Sequence, residues 1–147
     1  MPSALLELMV RIMTHLPAED SDLTLIVLKG HLVLEEELNS AVASRVDHPK
    51  HILDAELEFA QLLFVAKALF FRADDSWMWS GIKKLNSIRN VLAHTLEPKN
   101  LDEKLQEFVE TVEKNIGVDR NSFAERLRRS IAMLAARVHR LHNGHEA

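Results

Sequence analysis

Between Leu5 and Leu141 apolar residues return at intervals of three and four, and they never settle into the every-second-residue alternation of a half-buried strand. A chain patterned this way buries its apolar surface by packing helix on helix. Leu5, Leu6, Met9, Ile12, Met13 and Leu16 mark a first helix that Pro17 stops. Asp20 and Ser21 are suited to cap a second, striped by Leu23, Ile26, Val27, Leu34, Leu38 and Val42 as far as Val46. Gly30 falls inside it, at a cost of about 1 kcal/mol against alanine unless something packs closely there.

Pro49 leads into a third helix, expected from about Ile52 to Phe71, apolar on several sides and so assigned to the bundle centre. Ser76 is the expected cap of a fourth helix carrying Trp77, Ile82, Leu85, Ile88 and Leu92 and ending before Pro98. Asn100 and Glu103 have capping-box spacing at the start of a fifth, which Gly117 closes. Ser122 and Glu125 repeat that spacing for a sixth, striped by Phe123, Leu127, Ile131, Leu134, Val138 and Leu141. The predicted fold is all-α, an antiparallel bundle of about five or six helices.

The 147 residues are read as one domain, residues 1–147, long enough to bury about two thirds of the unfolded surface. With 47% hydrophobic and 27% charged residues the chain belongs with globular proteins rather than disordered ones. It has no cysteine, which rules out disulfides, thiolate chemistry and cysteine-ligated zinc. The first seven residues lack the basic region and long apolar core of a secretory signal. The longest greasy stretch, Phe59 to Phe71, is too short for a membrane span and contains Gln61 and Lys67. The expectation is a cytoplasmic protein with no membrane partner. A net charge of −4 argues against non-specific coating of duplex DNA, which depends on Lys and Arg displacing phosphate counterions.

The residues of the fourth helix that face away from its core stripe are Asn86, Arg89, Asn90, Ala93 and His94. Two asparagines one turn apart are a poor choice for a helix interior, because their amides compete for backbone hydrogen bonds. Asn90 and His94 are also one turn apart, whereas Arg89 and His94 differ by about 140° around a straight helix axis. Convergence on one group therefore needs the length of the arginine, or a second chain across a two-fold axis. The residue types suit RNA: histidine moves a proton near neutral pH, arginine holds a phosphate in a fork, and asparagine orients either. The plain alternative is an ordinary solvated arginine and histidine.

Arg89-Asn90-Val91-Leu92-Ala93-His94 resembles the signature of the HEPN superfamily, an arginine followed by a polar residue and, four to six positions after the arginine, a histidine near the end of a bundle helix. Leu85-Asn86-Ser87-Ile88 and the run from Lys29 to Asn39 resemble HEPN-like and mannitol-operon-repressor-like proteins, so the likeness covers about Leu28 to Glu97. It implies a dimeric, metal-independent endoribonuclease of a defence or toxin–antitoxin system. Arg89 would hold the scissile phosphate, His94 would assist proton transfer as the 2′-hydroxyl attacks, Asn90 would position both, and a 2′,3′-cyclic phosphate would result. Asn86, Lys83, Glu35 and Asn39 would support the site or bind RNA. No metal and no cofactor are assigned. The partners implied are a second copy, RNA, and a cognate antitoxin or other regulatory protein. Other members of the superfamily are regulators or scaffolds, so the alternative is a catalytically silent regulator that dimerises and binds a partner protein. An Arg89 locked to a carboxylate would favour that alternative.

Other features carry less. His31 lies one turn before Glu35, and reads as a surface residue or as a member of a polar cluster. Arg126, Arg129, Arg137 and Arg140 make a basic stripe on the sixth helix, suited either to an RNA backbone or to the acidic fifth helix. His139, His142 and His145 recur every third position, but near a terminus where helices fray, and no metal is assigned to them. Trp77 and Trp79 are about 200° apart, so only one can face the core and the other is a candidate contact between chains.

Overall fold

The computed structural model describes residues 3–16, 22–118 and 120–143. Among them are seven α-helices and one 3-10 turn, with no strand. The helices are α1 (Ala4–His15), α2 (Leu23–Arg45), α3 (Pro49–Asp54), α4 (Phe59–Phe70), α5 (Ser76–His94), α6 (Leu101–Ile116) and α7 (Phe123–Asn143), with the turn at Ala73–Asp75 before α5. The all-helical bundle read from the apolar period is the fold observed, with one helix of the sequence reading divided in two.

That division is at the third predicted helix, which becomes α3 and α4. Glu56 takes a left-handed backbone conformation at φ 48°, which a helix cannot continue through. The chain restarts two residues later, where the backbone N–H of Glu58 donates to the side-chain oxygen of Gln61 at 3.0 Å, one half of a capping box. Local cap chemistry here overrides an apolar pattern that ran continuously across the break.

The centre also differs from expectation. The bundle is built around α2, which packs against α7, α4 and α5 and whose Ile26, Val27, Leu34, Leu38, Ala41 and Val42 are all fully enclosed. Helix α4, expected there, buries Phe59, Leu62, Leu63, Ala66 and Phe70 but leaves Phe64 70% exposed, so it covers the core from outside. In α1 the buried residues are Leu8 and Ile12, followed by Leu16, while Leu6, Met9 and Met13 of the expected stripe face out. Of the two tryptophans, Trp79 enters the core, and Trp77 is half-buried beneath the Arg137 guanidinium, 5.6 Å from its ring centre.

At Gly30 the backbone of α2 lies against Ile131 of α7. A β-carbon added there would lie 2.8 Å from two side-chain carbons of Ile131, so the glycine is required by packing. Helix ends follow the sequence in part. Pro17, Asp20 and Ser21 lie outside the described residues, and the cap of α2 is Asp22, whose Oδ1 accepts from Thr24 N–H at 2.9 Å. Ser76 is the first helical residue of α5 rather than its cap, a position held by Asp75. Asn100 caps α6 in a left-handed conformation, φ 59°, with no side-chain bond, so the Asn100–Glu103 box does not form. Ser122 does accept from Glu125 N–H, at 3.3 Å, and Gly117 ends α6 at φ 89° with its N–H on Glu113 O.

Candidate functional site

Helix α5 carries an apolar stripe, Met78, Ile82, Leu85 and Ile88, into the core, which turns Asn90 and His94 away from it and leaves Asn86 and Arg89, both half-buried, along its edge. These four line one wall of a cleft of about 500 Å³. His31 and Glu35, one turn apart on α2, line it as well, and the restart of the chain at Leu57–Ala60 closes it. The break that divides α3 from α4 thus builds part of the cleft. Its volume falls within the range of about 300–1,000 Å³ typical of small-ligand sites.

Inside it, a polar contact joins His31 to Asn86, Nε2 to Oδ1, at 2.9 Å. With the amide oxygen facing the ring, Nε2 carries a hydrogen and donates it. His31 is 3% exposed and its ring lies 4.0 Å, centre to centre, from that of Phe59. Burial pushes its pKa below 6.5; the hydrogen bond to Asn86 opposes this, and the nearby Arg89 charge adds to it.

Arg89 is half-buried and donates from Nη1 to Asn90 Oδ1 at 3.2 Å. Among the described residues no carboxylate lies within ion-pair distance of its guanidinium. The nearby acids of α2 are engaged elsewhere in part: Glu36 and Glu37 both pair with Arg11 of α1. Asn90 and His94 are exposed, His94 being the last residue of α5. Arg89 and His94, far apart in angle along the helix, nevertheless border the same space within one chain.

Of the sequence-predicted residues, Arg89, Asn90, His94, Asn86 and Glu35 all line the cleft. Lys83 and Asn39 do not. Lys83 lines a neighbouring hollow with Phe64 and Lys67, and Asn39 another with Glu36 and Ile52, its amide donating to the Glu35 carbonyl at 3.1 Å. Sequence reasoning undervalued His31, which is buried and central; its spacing from Glu35 was the available signal, since i and i+4 share a helix face. Leu57, Glu58 and Phe59 were missed as a wall because the chain was read as helical there.

The basic stripe of α7 is largely consumed within the fold. Arg126 forms a two-pronged contact with Glu113 of α6, at 3.1 and 2.5 Å, and Arg129 donates to the carbonyls of Ile116 and Gly117 at the end of α6. Arg137 lies 3.9 Å from Asp75, and Arg140 is exposed. No helix among the described residues is long and apolar enough to cross a membrane. Comparison of the chain with protein-family models, with curated proteins and with solved structures finds no match in any of the three.

Proposed function

We propose that the chain is a HEPN-type, metal-independent endoribonuclease whose site is the cleft bordered by Arg89, Asn90 and His94. The observation that carries this reading is the state of Arg89: its guanidinium borders an open cleft and is oriented by Asn90, with no carboxylate among the described residues within ion-pair distance. A buried salt bridge at Arg89 would have indicated a structural role.

The chemistry is transfer of a phosphodiester from the 5′-oxygen of one nucleotide to the adjacent 2′-oxygen. A base accepts the 2′-hydroxyl proton as the 2′-oxygen forms its bond to phosphorus. An acid returns a proton to the 5′-oxygen as that bond breaks, leaving a 2′,3′-cyclic phosphate. His94 serves one of these steps, and Glu35 or the neutral His31 is placed on the same cleft for the other. Arg89 offsets the charge that builds on the phosphoryl oxygens, a contribution of about 10²–10³ in rate for a well-placed donor. Among the described residues Arg89 is the one arginine or lysine lining the cleft, and Glu35 and Glu58 share it, so recognition engages few phosphates. Affinity for single-stranded RNA should therefore fall gently with salt, by about 0.7 log units per log unit for each phosphate held.

A second reading, a silent regulator that binds a protein, is favoured by Leu6, Val10 and Met13, exposed on α1. Incubation with total RNA and a labelled tRNA pool in EDTA separates the two. Cleavage by the wild type, leaving cyclic phosphate ends, and none by an Arg89→Ala/His94→Ala double variant supports the nuclease. Failure of both proteins to cleave rejects it in favour of the regulator.

A further inference from the structure

Glu35 borders the cleft, and Glu37, two residues further along α2, is rotated from it by about 200°. It is only 5% exposed and points to the α7 side of the bundle, where its Oε2 lies 2.9 Å from Nδ1 of His139. Its Oε1 receives Nη1 of Arg11 at 3.4 Å. Nε2 of His139, itself 8% exposed, lies 2.8 Å from Nδ2 of Asn143. His142 stands edge-on to His139 with ring centres 5.0 Å apart, and its Nδ1 is shut off from solvent with no hydrogen-bond partner among the described residues. One ligand-capable atom from each of Glu37, His139 and His142 lies within 4.8 Å of the other two.

We propose that Glu37, His139 and His142 bind a divalent transition-metal ion, zinc by preference, at the crossing of α2 and α7. Two imidazoles and a carboxylate form a donor set suited to zinc, which leaves a fourth, tetrahedral position for water. Tetrahedral ligands at zinc distances stand about 3.4 Å from one another, and the three groups already lie within 4.8 Å of each other. A plain histidine–glutamate hydrogen bond accounts for Glu37, His139 and Asn143, but it leaves the enclosed Nδ1 of His142 with no partner among the described residues. A metal ion satisfies it.

The proton balance is simple. When the Nδ1 lone pair of His139 takes the metal, one ring proton resides on Nε2 and any second proton leaves to solvent. Asn143, turned over, accepts from Nε2 through Oδ1 and so fixes the tautomer of the ligand, as outer partners of metal-bound histidines do. Arg11 opposes the incoming cation, but its side chain is 40% exposed and already shared with Glu36, so it can withdraw to that partner. The ion would pin the middle of α2 to the last turns of α7, on the opposite side of α2 from the cleft. It plays no part in the proposed cleavage, which is assayed in EDTA.

The test uses the full chain, stripped with EDTA and dialysed, titrated with zinc against a chromophoric chelator and separately with Co²⁺. One equivalent is expected to bind with a Kd of about 1 µM or tighter, to raise Tm, and with cobalt to give the intense visible bands of tetrahedral coordination. His142→Ala removes a half-buried ring whose Nδ1 has no partner among the described residues, so the metal-free variant should keep its fold. It should bind at least about tenfold more weakly and lose the cobalt bands. A His48→Gln/His51→Gln variant, altering the exposed histidine pair of α3 and its cap, should bind as the wild type does. No binding by the wild type overturns the proposal, as does binding unchanged in His142→Ala or cobalt bound without tetrahedral bands.

Discussion

Asn86 of α5 and His31 of α2, separated by 55 residues in the chain, meet through a single 2.9 Å hydrogen bond that joins the two helices lining the cleft. The imidazole is enclosed and neutral, and it faces the Arg89 charge from α5 and the Phe59 ring from α4, with Glu35 one turn along its own helix. Burial of the ring, which lowers its pKa against the opposing Asn86 hydrogen bond, makes the cleft sensitive to acid.

His31 has a folded-state pKa below its ordinary 6.5, so the unfolded chain takes up its proton first as the pH falls. Its contribution to stability is complete above pH 6.5 and is lost as the pH drops from there through the folded value. Urea unfolding of the wild type and of His31→Gln across this window should show the wild type losing more stability towards acid. Parallel slopes would refute the assignment. Asn86→Asp places a carboxylate on the ring and should raise the His31 pKa, which its NMR titration would show.

Replacing Arg89 tests whether its fork or merely its charge is needed. Arg89→Ala should lower RNA cleavage by about 10²–10³ while shifting the urea midpoint little, because no ion pair is broken. Arg89→Lys should recover only a small part, since an ammonium cannot hold two phosphoryl oxygens in one plane. Full activity in the lysine variant would remove the fork from the mechanism.

Gly30→Ala would improve helix propensity by about 1 kcal/mol in an exposed helix. Here the new β-carbon meets Ile131 at 2.8 Å, and overpacking of this kind costs about 1–3 kcal/mol. A net loss of stability is expected, and in an Ile131→Ala background the same substitution should be neutral or stabilising. Equal effects in both backgrounds, read as a double-mutant cycle, would show that the contact does not govern the position.

The Glu113 carboxylate is 4% exposed and holds the Arg126 guanidinium through two contacts. Arg126→Ala should cost about 2 kcal/mol, less than for a fully buried pair because the arginine is partly open to solvent. Glu113→Gln/Arg126→Met, which removes both charges, should recover most of that loss. A loss in the double variant as large as in Arg126→Ala would mean that packing rather than charge is at stake.

Much of this molecule is legible one helix at a time. The period of Ile82, Leu85 and Ile88 puts Asn90 and His94 on the far face of α5 and leaves Asn86 and Arg89 along the edge of the stripe, and that inference needs nothing beyond about 100° of rotation per residue. Glycine at position 117 ends α6 as its sequence suggests, because only local backbone freedom is involved. Where two helices compete for the centre, local pattern is insufficient. The continuous apolar run of α4 pointed inward, yet α2 took that place, since burial depends on which surfaces the other helices cover.

The sequence by itself therefore determined the helices, their polar and apolar faces, and the presence of Arg89, Asn90 and His94 on one stretch of α5. Only the tertiary structure decided what stands opposite them. The place of Leu57 to Ala60 beside the cleft depends on how α4 packs on α2 and α5, and the pairing of His31 with Asn86 depends on how α2 crosses α5. Glu37 and His139 meet across 102 residues for the same reason. Periodicity reports the direction a side chain leaves its own helix; which partner it meets is settled by the packing of whole helices, an interaction with no local signature.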